Sequence, residues 1–154
     1  MLQPIMLDAN VLTLFIVGQV SEDMVERCRR TRQYKIQDYH LLVSYVAPFT
    51  NLLVTPNIAT EVSNLLGVLS GAHLIRAREI LYNYIATWTE VYVESNRVKD
   101  VPEYTRLGLT DAAILLTASH EMEVLTDDFD LYSALLKRGI KATNFTHIRT
   151  QGMI

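Results

Sequence analysis

The chain has 154 residues, 49% of them apolar and 20% charged, with a formal net charge of −3; chains of this size bury roughly 68–70% of their unfolded surface, enough for one full core without staples. The lone Cys28 excludes an internal disulfide, and the unbroken apolar stretches fall short of the ~20 residues that a membrane-spanning helix needs. An acidic balance argues against a broad nucleic-acid footprint, which depends on phosphate neutralisation by Lys and Arg, but a local acidic pit filled by divalent cations is compatible with a phosphodiester.

In chain order, short apolar runs alternate with helical patterns, the signature of βα units around a mostly parallel sheet. Ile5-Met6-Leu7 predicts the first strand and Asn10 to Val17 a helix ended by Gly18. No Lys or Arg precedes the run from Val11 to Val17, whereas Asp8 and Asn10 do; an export signal needs the opposite flank, so the expected location is the cytoplasm. Ser21 is placed to cap a second helix, with Glu22 and Asp23 in its first turn and Arg27, Arg29 and Arg30 in its last, complementing the dipole. Leu41-Leu42-Val43 fits strand or helix by period, and the stretch from Tyr34 to Phe49 is read as helix.

Leu52-Leu53-Val54 predicts a strand, and Thr55-Pro56 then supplies a cap followed by proline at the first helical position. That helix carries Glu61 and ends near Gly67; another runs from about Gly71 to Trp88, before Val91-Tyr92-Val93 as a third strand. Pro102 interrupts the next segment. Thr110 is expected to cap a helix from Asp111 to His120, Val124-Leu125 to form a fourth strand, and Asp127 or Asp128 to cap a helix ending at Lys137-Arg138-Gly139. A last strand covers Ala142 to Phe145, and the whole of 1–154 reads as a single domain without repeats or linker.

Four carboxylates, Asp8, Glu61, Asp111 and Asp128, stand where such a fold collects ligands, at the carboxyl ends of strands and the starts of helices. Asp111 shares a helix side with Ile114, Leu115 and Ala118, so it is aimed inward and needs a partner, because an unpaired buried charge costs several kcal/mol. The bland alternative is support for a helix start. Glu61 borders the stripe Ile58, Val62, Leu65 and Leu69; a solvated rim glutamate would look the same. Asp8 follows a buried strand at the crevice edge, where an Asx turn or helix cap would also explain it. In Thr126-Asp127-Asp128-Phe129-Asp130 three acids would repel one another unless capped or bridged, and Asp128 is the leading ligand, with Asp127 solvated and Asp130 favouring the dipole.

Taken together, Leu7-Asp8-Ala9-Asn10-Val11-Leu12, Thr60-Glu61, Leu109-Thr110-Asp111-Ala112-Ala113-Ile114-Leu115 and Leu125-Thr126-Asp127-Asp128-Phe129-Asp130 resemble a PIN domain, over nearly the whole chain and closest to compact ribonucleases of the VapC-like toxin type. The resemblance implies a three-layer α/β/α sandwich with a central mostly parallel sheet. It implies a metal-dependent endoribonuclease that cleaves single-stranded or loop RNA to leave a 5′-phosphate and a 3′-hydroxyl. Asp8 and Asp111 would be central ligands of one or two Mg²⁺ or Mn²⁺ ions, Glu61 and Asp128 would complete the quartet, and Asn10, Thr126 and Asp130 would support it. A cognate antitoxin and a homodimer are partners the likeness implies; the apolar helices near the N-terminus are candidates for the dimer contact. The segment between Asp8 and Glu61 is longer than in the smallest toxin-like members, which leaves subfamily and partner open.

The residues agree with that chemistry: oxygen ligands suit Mg²⁺ or Mn²⁺, the four histidines show no paired spacing, and Cys28 has no thiol partner for zinc. Arg27, Arg29, Arg30 and Arg32, with Lys35 and Tyr34, are candidates to guide RNA phosphates and stack a base. Against that, Asp23 with Arg27 and Glu26 with Arg30 are i,i+4 pairs that a solvated helix forms anyway. Two other readings compete. A haloacid-dehalogenase-type phosphatase would use a second Asp two residues after its nucleophile, where this chain has Asn10. A non-catalytic PIN-like binding module would need no acid at the inward-facing position of Asp111.

Overall fold

The computed structural model describes residues 3–151. The first apolar run forms β1 (Ile5–Leu7), buried at every position, as expected of a strand covered on both faces. It lies at the centre of a five-stranded sheet with β2 (Leu52–Val54), β3 (Thr89–Glu90), β4 (Glu123–Thr126) and β5 (Ala142–Asn144), all paired in parallel in the order β3-β2-β1-β4-β5. Helices flank this sheet to give a three-layer α/β/α sandwich. From β1 the chain moves outward through β2 and β3, then returns to place β4 on the other side of β1, with Leu7 opposite Leu125. The strand order therefore reverses between β1 and β4, and in sheets of this type ligands bind outside the carboxyl ends of the strands at such a point.

Between β1 and β2 lie α1 (Ala9–Val20), α2 (Glu22–Arg27) and α3 (Ile36–Val46). The first is apolar around nearly its whole circumference and is buried from Val11 to Gly18, as a helix without a polar face must be. It packs against α2, α3, α4 (Pro56–Leu66) and α5 (Gly71–Thr87), so the N-terminal apolar helix belongs to the core. Gly18 does not end it. The helix runs on to Val20, and Gly18 is the place where the Tyr39 ring of α3 lies against its backbone; a Cβ there would meet the ring at 2.2 Å. Only Arg27 falls in the last turn of α2; Arg29 and Arg30 lie in the turns beyond it, and Ser21 caps that helix without a side-chain bond.

The expected start of α4 is observed: Thr55 Oγ1 accepts from the Ile58 N–H at 3.1 Å with Pro56 at the first position. The third strand is displaced from the apolar Val91–Val93 to Thr89–Glu90, because the backbone of β2 pairs there, Leu53 opposite Thr89; beyond it only the Val91 N–H still reaches Val54, at 2.8 Å. Around Pro102 are two short helices, α6 (Ser95–Val98) and α7 (Tyr104–Leu107).

Next comes α8 (Leu109–Thr117), which starts earlier and ends earlier than expected. Gly108, at φ 85°, is its N-cap, and Thr110 sits inside the first turn. A left-handed φ is open to glycine at no steric cost, which is what places this start before Thr110. After β4, Asp128 caps α9 (Phe129–Lys137), and Gly139 at φ 69° turns the chain into β5. Phe145 opens an unexpected helix, α10 (Phe145–Gln151), and is not the end of β5. Asn144 Oδ1 accepts from the Thr146 N–H at 2.9 Å and stops the strand. No described helix is long and apolar enough to cross a membrane.

Candidate functional site

The β1 and β4 ends meet through Asp8. It is 4% exposed and caps α1, with Oδ1 accepting from the Val11 N–H at 2.8 Å. Its Oδ2 accepts from the Thr126 hydroxyl and, at 2.9 Å, from the Asp127 N–H. Burial nevertheless dominates and pushes the carboxyl up to about 6, against the hydrogen bonds from Thr126, Val11 and Asp127 that favour the charged form. The cap alternative holds for one oxygen of this residue, while Thr126 and the Asp127 N–H bind the other.

Asp111, in the first turn of α8, is part-buried, with its carboxyl raised to about 7. Desolvation is the largest cause, followed by the negative charges of Asp8, Asp128 and Glu61. The charges of Asp8, Asp128 and Glu61, carried by three other parts of the fold, therefore all bear on Asp111. Glu61 arrives there because α4 packs on α8. Between these two helices lies a cleft of about 440 Å³ lined by Asn57, Thr60, Glu61, Asn64, Leu109 and Thr110. Asn57, Glu61 and Asn64 recur at helical spacing on one face of α4, a signal present in the sequence itself.

The three acids after β4 each have a protein partner. Asp128 is exposed; its Oδ1 caps α9 through the Leu131 N–H at 2.9 Å, and Oδ2 carries no protein hydrogen bond among the described residues. Asp130 is exposed beside Arg106 of α7, at 3.5 Å. Asp127 is not simply solvated: Oδ2 accepts from the Tyr34 hydroxyl at 2.6 Å and Oδ1 from the Thr146 hydroxyl. Thr126 supports the site through Asp8 and also accepts from the Asp128 N–H at 3.0 Å, while Asn10 is exposed in the first turn of α1. The contacts of Tyr34, Thr146 and Arg106 with the acids were not legible in the sequence; Tyr34 and Asp127, for example, stand 93 positions apart and only the folded chain joins them.

Away from the acids, Arg27 pairs with Asp23 at 2.7 Å, the i,i+4 contact expected of a solvated helix. Glu26 pairs instead with Lys35 at 3.7 Å and accepts from the Ile36 N–H, not with Arg30, because the chain turns back after α2. Arg29, Arg30 and Arg32 are exposed and form no ion pair among the described residues. Tyr34 is 1% exposed and cannot stack a base. A groove of about 370 Å³ beside Arg27 and Arg29 also includes Ser70 and His73.

Among the described residues no three carboxylate, imidazole or thiol side chains form a ready-made metal cage. The donor set still fits a hard cation. All four acids offer oxygen, and Mg²⁺ characteristically takes one or two carboxylates directly while keeping water in its other positions. Like charges brought together without a cation raise one another's pKa, as at Asp111, and a divalent ion would reverse that cost. No family model matches the chain, and no match was found among curated proteins.

Proposed function

We propose that this protein is a PIN-like, metal-dependent endoribonuclease acting on single-stranded or loop RNA. The observation that supports it is the gathering of Asp8, Glu61, Asp111 and Asp128 from four elements at the crevice between β1 and β4, close enough that the other three oppose ionisation of Asp111. Asp8, Asp111, Glu61 and the free oxygen of Asp128 would hold Mg²⁺ or Mn²⁺, which when bound supplies the charge that activates water and stabilises a departing 3′-oxygen in an in-line displacement. Thr126 and the Asp127 N–H orient Asp8, and the N–H groups at the starts of α1 and α9 fix one oxygen each of Asp8 and Asp128. Asp128 Oδ2 is left without a protein hydrogen bond among the described residues, whereas both oxygens of Asp8 are held. The cleft of Asn57, Thr60 and Asn64 offers amides and a hydroxyl beside Glu61 for the edges of an unstacked nucleotide. Exposed Arg29, Arg30 and Arg32 would draw phosphates toward the site.

A cytoplasmic toxin restrained by a cognate antitoxin, with homodimerisation, completes the proposal on the strength of the sequence likeness. For association of copies, apolar side chains such as Ile75, Tyr82 and Ile85 on α5 are exposed, whereas α1 is buried from Val11 to Gly18.

The deciding experiment incubates structured and single-stranded RNAs with Mg²⁺ or Mn²⁺ and compares wild type with Asp111→Asn, which keeps shape and removes charge. Metal-dependent cleavage absent in the variant is the expected result. Absence of both cleavage and metal uptake in wild type would leave a PIN-like binding module.

A further inference from the structure

Of the two adjacent acids that follow β4, one is turned toward protein on both oxygens. Tyr34, on the segment between α2 and α3, donates its hydroxyl to Asp127 Oδ2 at 2.6 Å, and Thr146, in the first turn of α10, donates to Oδ1. The backbone of the same residue points the other way, its N–H on Asp8 Oδ2 at 2.9 Å. We propose that Tyr34 and Thr146 are positioning residues for the acid cluster. They hold the Asp127 carboxylate out of the ligand set and fix its N–H on Asp8, so that Asp128 is the acid that serves the ion. This inference rests on the metal-site reading given above.

Both clamps are themselves built in place. Tyr34 packs against Phe145 with ring centroids 5.9 Å apart and lies beneath the Arg149 guanidinium, 4.8 Å from its ring. Arg149 pairs with Asp38 at 2.9 Å and donates to the Gln33 carbonyl at 3.2 Å, tying α10 to the start of α3. Asn144 Oδ1 holds the Thr146 N–H and sets the turn from which the threonine hydroxyl reaches Asp127. Two segments remote in sequence thus close over one carboxylate beside the site. A network of this kind is not the cheapest way to stabilise a fold, since apolar side chains of similar volume do as well or better; here the Arg149 Nε is even buried without an acceptor among the described residues. What the polar network provides, and apolar packing would not, is a fixed direction for Asp127.

Hydrogen-bond partners behind a ligand set typically govern metal affinity by 10–100-fold. The test titrates Mn²⁺ into the full chain at one fixed pH, reading free Mn²⁺ by its electron paramagnetic resonance signal, with circular dichroism as the check on folding. Tyr34→Phe and Thr146→Val, neither of which alters charge, are expected to weaken Mn²⁺ binding about tenfold. Thr146→Ser, which keeps the hydroxyl, is expected to restore it. Thr146 is exposed, so its variants guard against a folding defect at the buried Tyr34. Wild-type affinity in both Tyr34→Phe and Thr146→Val, or tighter binding once Asp127 is released, overturns the inference while leaving the metal site standing. A wild type that takes up no Mn²⁺ removes the metal reading and this inference with it.

Discussion

A carboxylate that titrates at about 7 is a liability to a metal-free fold, and Asp111 carries that liability together with Asp8 at about 6. The ordinary value for both is 3.8, so between about pH 4 and pH 7 the folded chain holds protons that the unfolded chain has released. Stability from these groups is therefore fully present below about pH 4 and is lost as pH rises through 6 and 7. Asp111→Asn is accordingly expected to stabilise the metal-free protein at pH 8 by on the order of 1–2 kcal/mol, discounted for the part exposure of the group. The gain should disappear near pH 4. Urea unfolding of wild type and variant at the two pH values measures it, and an unchanged difference across pH would refute the electrostatic cause.

At the level of elements, Gly18 separates local preference from packing. Read along the chain it stops a helix; in the fold it is the contact that lets the Tyr39 ring of α3 lie on the backbone of α1. Helix propensity alone favours Gly18→Ala by up to about 1 kcal/mol. The ring stands where the new methyl would be, and overpacking of that kind costs about 1–3 kcal/mol, so net destabilisation is expected. Thermal unfolding checks the sign, and Tyr39→Leu in the same chain should relieve much of the loss by vacating the space. The displaced β3 teaches the same lesson: Val91 to Val93 have the apolar character of a strand, but Thr89 and Glu90 have the neighbour with which to pair.

For the whole molecule, the cation site proposed at the acids would couple folding to cation binding. Protons on Asp8 and Asp111 must leave before those oxygens can ligate, so Mn²⁺ affinity is expected to rise steadily from pH 5 to pH 8. At a concentration of one hundred times Kd the ion should add about 2.7 kcal/mol to stability. For a chain of this size that corresponds to a rise in Tm of very roughly 5–10 °C. Calorimetric scans with Mn²⁺ and with chelator at each pH measure both effects; a Tm indifferent to Mn²⁺ at pH 8 would count against the metal centre.

The alternation of apolar runs with helical periods, the Thr55-Pro56 cap, and the acids that follow β1 and β4 are short-range features, and the sequence alone determined them because each depends on neighbours within a turn or a strand. The α/β class followed from that alternation. So did Asp8, Glu61, Asp111 and Asp128 as the residues to watch. The strand order, the helical passage through Gly18, the start of α8 at Gly108 and the engagement of Asp127 by Tyr34 and Thr146 were decided only in three dimensions. Each is a contact between segments far apart in the chain, and local propensity holds no record of which distant residue will occupy the facing space.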